Sequence, residues 1–554
     1  MANPEKTIGL DAIQIISPYE LVILTDLRIN RKPNYHAQAY FSAVIPEGKK
    51  DSYVENAIIG DRIEINQAEK GQIVRPLFKG LVTKIKVKTV RDIYYLEVEA
   101  LSSTYELDIK LKKRSFQNER MSYNELFRKV LQEYKGADCN DQISNGAELG
   151  RFTIQYEETD WQFLKRMASR FRATLIPDPT QDRAKFWLGI PDGKKVEAED
   201  FHFTVSKNLA EYEKASGNYD DGVIETDYIG YELESSQILN IGDQVKFQGV
   251  NLVVAQAQGR VLKGVFKHNY LLTPKTGVRQ NPIYNRKITG AAIRGKVIDC
   301  QKDRAKIHLE IDETQNQDEA CWFPVATLYT AEGHSGWYWM PEPGDEVRLQ
   351  FPNKHEENAQ IIRAIRKDGA DNPKITDPDI KYLGNAYGKE LQLDANVLKF
   401  TAKEEKINKM FIKLDGEAGV EIQSDQIIRI ESKNDLMWEG KTIDIRAGLG
   451  IYMACDTSSM ILDGEVHGKG TIAKIEGFVK SPGGTTENSA SAQKKKPENS
   501  APPVGDQVQA GIDINGTIPA VSSPTANTVN NSDLNAGLDA LGTIPFQSGG
   551  GLGK

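Results

Sequence analysis

The sequence predicts a mainly β protein built in sections, and three observations predict it. Apolar pairs spaced i and i+2 recur about every eight residues from Leu391 to about Leu462. Residues 11–110 and 199–280 are strand-rich runs broken by Pro, Gly and Asn clusters. Residues 288–366 hold a further group of short, Gly-rich strand signals. At 554 residues the chain exceeds a single core, so several domains are expected.

Composition narrows the class. The chain is 39% hydrophobic and 27% charged, which is ordinary for a soluble protein, and its net charge of −8 gives no nucleic-acid footprint. Cys139, Cys300, Cys321 and Cys455 are scattered without a CxxC pair, so neither a zinc site nor a disulfide framework is expected. MANPEKTIGL is not a signal peptide, and no run of eighteen apolar residues exists. The expectation is synthesis in the cytoplasm and, if the protein leaves the cell, export by a route other than general secretion.

The elements follow in chain order. GDRIEI, FKGLVTKIKV and YYLEVEAL, within residues 60–101, alternate apolar and polar faces as three strands of a barrel. A helix is predicted near 122–134, with Leu126, Phe127, Val130, Leu131 and Tyr134 on one face. Ser122 is its N-cap and Glu125 completes a capping box. A second helix follows Thr159 or Asp160, with Trp161, Leu164, Ala168 and Phe171 sharing a face. Glu157, Glu158 and Asp160 read as helix capping and surface charge rather than catalysis.

That second helix lies in RFTIQYEETDWQFLKRMASRFRATLIPD, residues 151–178. The segment resembles one in the VgrG spike proteins and phage late-control D proteins, which form the hub of contractile tails and type VI secretion machines. The resemblance implies that residues 1–285 are a hub domain of two similar barrels, with three copies making a pseudo-sixfold ring. Ile59-Gly60-Asp61 and Ile241-Gly242-Asp243, each before an alternating strand, fit two related barrels.

Residues 286–368 are expected to be an OB-type barrel, with strands at 290–300, 306–311, 346–351 and 359–365. ACWFPVATLYT and GHSGWYWMPEPGDEVRLQFPN resemble the OB-fold base domain of the same spike families. Trp322, Pro324, Trp337, Tyr338, Pro341, Gly344, Asp345, Glu346 and Val347 carry that resemblance. A family loop of the form D-P-x-x-P is replaced here by NKHEEN, residues 353–358. Base stacking on Trp322, Trp337, Tyr338 and Trp339 would need a basic groove, but Glu332, Glu342, Asp345 and Glu346 surround them. Core and interface packing is therefore the expectation, with no nucleic acid as partner.

No enzyme is expected. The seven histidines form no HExxH or HxH pair, and GHSG around Ser335 is not a nucleophile elbow. No phosphate-binding glycine pattern occurs, and no cofactor or metal is implied. The short linker 369–387 cannot hold the two placed carboxylates of a glycosidase.

From 388 to 480 the repeat takes over. Its pairs are Ile412/Leu414, Val420/Ile422, Ile428/Ile430, Leu436/Trp438, then, after a one-residue slip, Ile443/Ile445 and Ile451/Met453. Turn formers such as Asp415-Gly416, Ser424-Asp425, Lys433-Asn434 and Ala447-Gly448 separate them. Eight residues cannot close a coil of a single-chain β-helix, whereas three chains each giving one unit per layer can. The reading is a homotrimeric β-helix needle with those residues other than Trp438 on its axis; an antiparallel meander with the same period is the alternative.

Residues 481–554 are a low-complexity tail rich in Ser, Gly, Pro, Asn and Thr. GTIP occurs in it twice, at Gly516, Thr517, Ile518 and Pro519 and at Gly542, Thr543, Ile544 and Pro545, and these are candidate docking segments. The resemblance implies inner-tube and baseplate proteins as partners, a PAAR-type tip protein, effector cargo and only transient contact with a target membrane.

Overall fold

The computed structural model describes residues 8–197, 202–219, 222–247, 249–330, 336–365, 373–404, 408–455 and 458–462. Two compact units divide at Ile428. Among the described residues no helix is long and apolar enough to cross a membrane.

The first unit begins with a twelve-stranded sheet. Its first half holds the strands Ile13–Ile16, Ile23–Arg31, Gln38–Val44, Arg62–Glu69, Gln72–Val90 and Ile93–Ser102. Its second half holds Lys195–Glu197, Phe203–Lys207, Ile229–Ser235, Gln244–Phe247, Val250–Leu262 and Val265–Thr273. Each half buries its inward alternate residues around a core of its own. Phe41, Ile63, Ile65, Phe78, Leu96 and Val98 fill the first; Leu233, Val245, Leu252, Val254, Tyr270 and Leu272 fill the second. Antiparallel pairing of Arg28–Arg31 with Ala257–Arg260 stitches the halves into one sheet.

The two Ile-Gly-Asp turns have the same geometry, and the OB domain repeats it at Pro343-Gly344-Asp345. Gly60, Gly242 and Gly344 sit at φ of 101°, 96° and 97°, a region that a Cβ disfavours. Each Asp carboxylate accepts the amide three residues back, from Ile58 at 3.2 Å, Asn240 at 2.7 Å and Glu342 at 2.9 Å. Each Asp carbonyl accepts an amide of the neighbouring strand, from Val82, Val254 and Val297 at 2.8, 2.9 and 2.8 Å.

Between the halves of the sheet lies a helical insert. Its helix Tyr123–Leu131 starts with the capping box expected at Ser122, and Asp160–Ser169 is capped by Thr159, one of the two expected residues, in a box completed by Gln162. Both pack on a core that includes Phe116, Phe127, Trp161, Phe163, Leu164 and Phe186.

The OB domain has strands Ala292–Gln301, Arg304–Leu309, Trp322–Pro324, Glu346–Gln350 and Gln360–Ile365, close to the expected positions. The sheet runs from Trp322–Pro324 at one edge to Gln360–Ile365 at the other. Ala326 N donates to Ile361 O at 2.7 Å, which draws those edges together.

The repeat departs from expectation in its first part. Residues 381–423 form an antiparallel five-stranded meander within one chain: Lys381–Gly384, Lys389–Leu393, Val397–Glu404, Asn408–Asp415 and Gly419–Gln423. It starts inside the stretch read as linker. Ile412, Leu414, Val420 and Ile422 therefore belong to sheet strands here, not to intertwined coils. The cause is turn chemistry. The Asp394 carboxylate accepts the Asn396 and Val397 amides at 2.9 Å each. Asp415 accepts those of Glu417 and Ala418 at 3.0 and 3.1 Å. Both are Asx turns that fold the chain back without an Asn-Gly pair.

Residues 424–450 enter no strand or helix, and their backbone bends near 425, 433, 441 and 448, about where the sequence placed its turns. In the second unit Ile451–Cys455 pairs with Ser458–Leu462 as a hairpin. The expected needle beyond 462 and both GTIP segments lie outside the described residues.

Candidate functional site

Three features distinguish this chain: a buried ionic joint, an aromatic face and an uncovered apolar sheet. The joint links the helical insert to the OB domain. Strand Thr153–Glu158 pairs with Lys112–Phe116, and its Ile154, with Phe152 just before it, enters the OB core beside Phe323 and Phe351. Arg166, on the helix that follows, is almost wholly buried. Its guanidinium donates to Glu158 at 2.8 Å through both Nε and Nη2, to Ile154 O at 2.6 Å, and to Glu356. Arg170 Nη2 donates to the other Glu356 oxygen at 2.7 Å. Burial alone would lower the Arg166 pKa, but the Glu356 and Glu158 carboxylates outweigh it and hold the pKa above its ordinary value.

Glu158 and Asp160 are thus not surface charge, as expected from the sequence. Asp160 is fully buried and accepts from Lys112 Nζ at 2.6 Å, Arg114 Nη2 at 2.5 Å, Tyr134 Oη at 2.7 Å and Gln155 Nε2 at 2.9 Å. Burial, then the bond to Asp160, pushes the Tyr134 hydroxyl above its ordinary pKa. The cap itself is Thr159. The Asp160 cluster thus lies within the insert, whereas the bonds of Arg166 and Arg170 to Glu356 cross to the OB domain.

Further bonds tie the same joint. Ser115 N and Oγ donate to the Asp312 carboxylate at 2.6 and 2.5 Å. Gln117 Nε2 donates to Ile307 O at 3.1 Å, and the Cys321 amide and thiol donate back to Gln117. Sequence reasoning missed Arg166, Arg170, Glu356 and Asp312. Arg166 had a signal, being a charge between Phe163 and Met167 on an apolar helix. Glu356 lies in NKHEEN, so the loop that departs from the family form carries the OB anchor.

The OB signature residues play different parts. Trp322 is half-buried with the Lys306 ammonium 5.0 Å over its ring. Pro324 is exposed, and Pro341 O accepts the Cys300 thiol at 2.9 Å. Gly344 and Asp345 make the turn, and Glu346 opens the strand on which Val347 is buried. Trp337, Tyr338 and Trp339 are not in the core; they stand exposed with Leu328 and Tyr329.

The meander is amphipathic. Its register aligns Leu391, Phe400, Ile412 and Ile422, and beside them Leu393, Leu398, Leu414 and Val420. Both rows share one face by strand alternation, with Gln392, Lys399, Lys413 and Glu421 on the other. The apolar face is uncovered: Leu393, Phe400, Ile412, Leu414, Val420 and Ile422 are exposed. So are Ile428, Ile430, Leu436, Ile443, Ile445 and Met453, the remaining expected axis residues other than half-buried Ile451, and Trp438 is exposed as well. Contiguous exposed apolar surface of this kind marks interaction sites on proteins.

Residues 293–365 match the family model of the type VI secretion system/phage-baseplate injector OB domain. No curated protein matches the chain. Solved structures similar to it include a type VI secretion component of E. coli, at 14% identity over 64% of this chain and 99% of that one, with a TM-score of 0.45. The lidded Francisella PdpA–VgrG complex is similar at 10% identity over 74% and 79%, with a TM-score of 0.48. A 43 kDa tail protein of prophage MuSo2 from Shewanella oneidensis is similar at 11% identity over 49% and 99%, with a TM-score of 0.38.

Proposed function

We propose that this chain, which carries an injector OB domain, is the structural central spike of a contractile injection machine and works as a homotrimer. The observation that carries the reading is the sequel to that domain: an amphipathic meander with one bare apolar face, then a repeat that enters no strand of its own and bends every eight or so residues. Three copies can turn the bare faces toward a common axis. Fully burying one Leu or Ile side chain contributes about 1.5–3 kcal/mol, and each layer would supply three. The repeat from 424 then has partners in the neighbouring chains for its backbone as well as its side chains.

Function on this reading is mechanical. The sheet-rich residues 1–285 act as the hub that caps an inner tube and meets the baseplate, and the OB barrels collar the needle's base. The buried joint at Arg166 resists shear between hub and barrel, and the needle concentrates contraction force on a target membrane outside the cell. No covalent chemistry is required. The partners implied are tube and baseplate proteins, a PAAR-type tip protein, and effector cargo held by the tail through its GTIP segments.

Sedimentation of the purified full-length chain tests the core of this. The expected species is a trimer; a monomer in native buffer overturns the reading. Robust peptidoglycan, nuclease or protease turnover mapping to residues 1–480 would overturn its purely mechanical part.

A further inference from the structure

We infer that the aromatic face of the OB domain, Leu328, Tyr329 and Trp337–Trp339, is covered by a second copy of this chain. The inference rests on the trimeric reading above and adds a contact that the needle does not require.

The face is presented by a folded loop. Trp337 N donates to Tyr329 O at 2.7 Å, the Thr327 hydroxyl bonds the Trp337 carbonyl, and Tyr338 Oη donates to Lys302 O at 2.8 Å. The Trp337 and Trp339 rings sit 6.4 Å apart. Large aromatic side chains already held in place lose little conformational freedom on binding, which is the property of interface anchors. Left in water they give no return on that ordering, since each can bury about 150–250 Å².

Position identifies the occupant. Trp337–Trp339 and Leu328 line an open cavity of about 780 Å³, and Leu383 and Gly384 from the first strand of the meander line it too. Leu383 pairs with Leu391 and continues the bare apolar face. The aromatic face and the meander face therefore form one surface, and a copy of the chain seated on the second reaches the first. Charge disfavours two other occupants. Among the described residues the cavity is lined by Glu342 and Asp345 and by no basic side chain, which opposes nucleic acid and anionic lipid headgroups.

The test places a photo-crosslinking residue on the face of the full-length protein, as Trp339→p-benzoylphenylalanine and separately Leu328→p-benzoylphenylalanine. Each variant is first sedimented, then irradiated and run on a denaturing gel. A trimer that yields covalently joined chains from either position supports the inference. A trimer that yields no inter-chain product from both positions overturns it and leaves the trimeric reading standing; the face then belongs to some other molecule. If the unsubstituted protein sediments as a monomer, the trimeric reading fails and the inference fails with it.

Discussion

Replacing Glu356 with leucine should unseat the OB domain from the hub. The Glu356 carboxylate is nearly inaccessible and accepts from both Arg166 and Arg170. Glu356→Leu leaves the buried Arg166 guanidinium with Glu158 and one carbonyl, and removes from Arg170 Nη2 the carboxylate it bonds. Breaking one side of a buried pair costs about 3–5 kcal/mol. Glu356→Gln keeps an acceptor but drops the charge, so its loss should be smaller, about 1.5–3 kcal/mol. The exposed Lys84–Glu99 pair on the hub hairpin is the internal control, where Glu99→Gln should cost about 0–1 kcal/mol. Urea unfolding of the full chain, followed by tryptophan emission, ranks the three. A double-mutant cycle with Arg166→Met then isolates the pair, with an expected coupling of about 0.5–3 kcal/mol. If Glu356→Leu costs no more than the surface control, or the cycle closes to zero, the ionic cluster does not hold the joint.

Three other outcomes are expected. Gly60→Ala and Gly242→Ala both place a Cβ at positive φ, at about 1–2 kcal/mol; Gly242→Ala should lose more because its Cβ also meets Pro191, whereas nothing lies close to Gly60. Equal losses in urea unfolding would refute that. The hydrogen bond from Lys413, then the amides of Ala418 and Glu417, hold the Asp415 carboxyl down to about 2 from its ordinary 3.8. Its stabilising effect is therefore present above pH 4 and lost as pH falls from about 4 to 2. Amide exchange at Glu417 and Ala418 should quicken over that window and Asp415→Asn should flatten the response; constant protection down to pH 2 counts against it. Ile428→Asp should dissociate the trimer, since three carboxylates would meet on a dry axis at several kcal/mol each, and an intact trimer on sedimentation would remove Ile428 from that axis.

The sequence by itself determined what depends on neighbours a few residues away. The capping box at Ser122, a cap at Thr159 or Asp160, the Gly-Asp turns, four of the OB strands and the bends of the repeat are all local, and all were legible. The antiparallel folding of 381–423 was nearly so: Asp394 and Asp415 are turn residues, but the shared eight-residue period hid that the first units pair within one chain. Tertiary structure alone decided the rest. Arg166 and Glu356 lie 190 residues apart, and Ser115 and Asp312 lie 197 apart. No periodicity links such residues, because only the path of the chain through two domains brings them together. The burial of Glu158 and Asp160 is tertiary as well. Helix-start carboxylates are exposed by default; Glu158 shares Arg166 with Glu356 of the OB domain, and Asp160 is enclosed by Lys112, Arg114, Tyr134 and Gln155 of the insert.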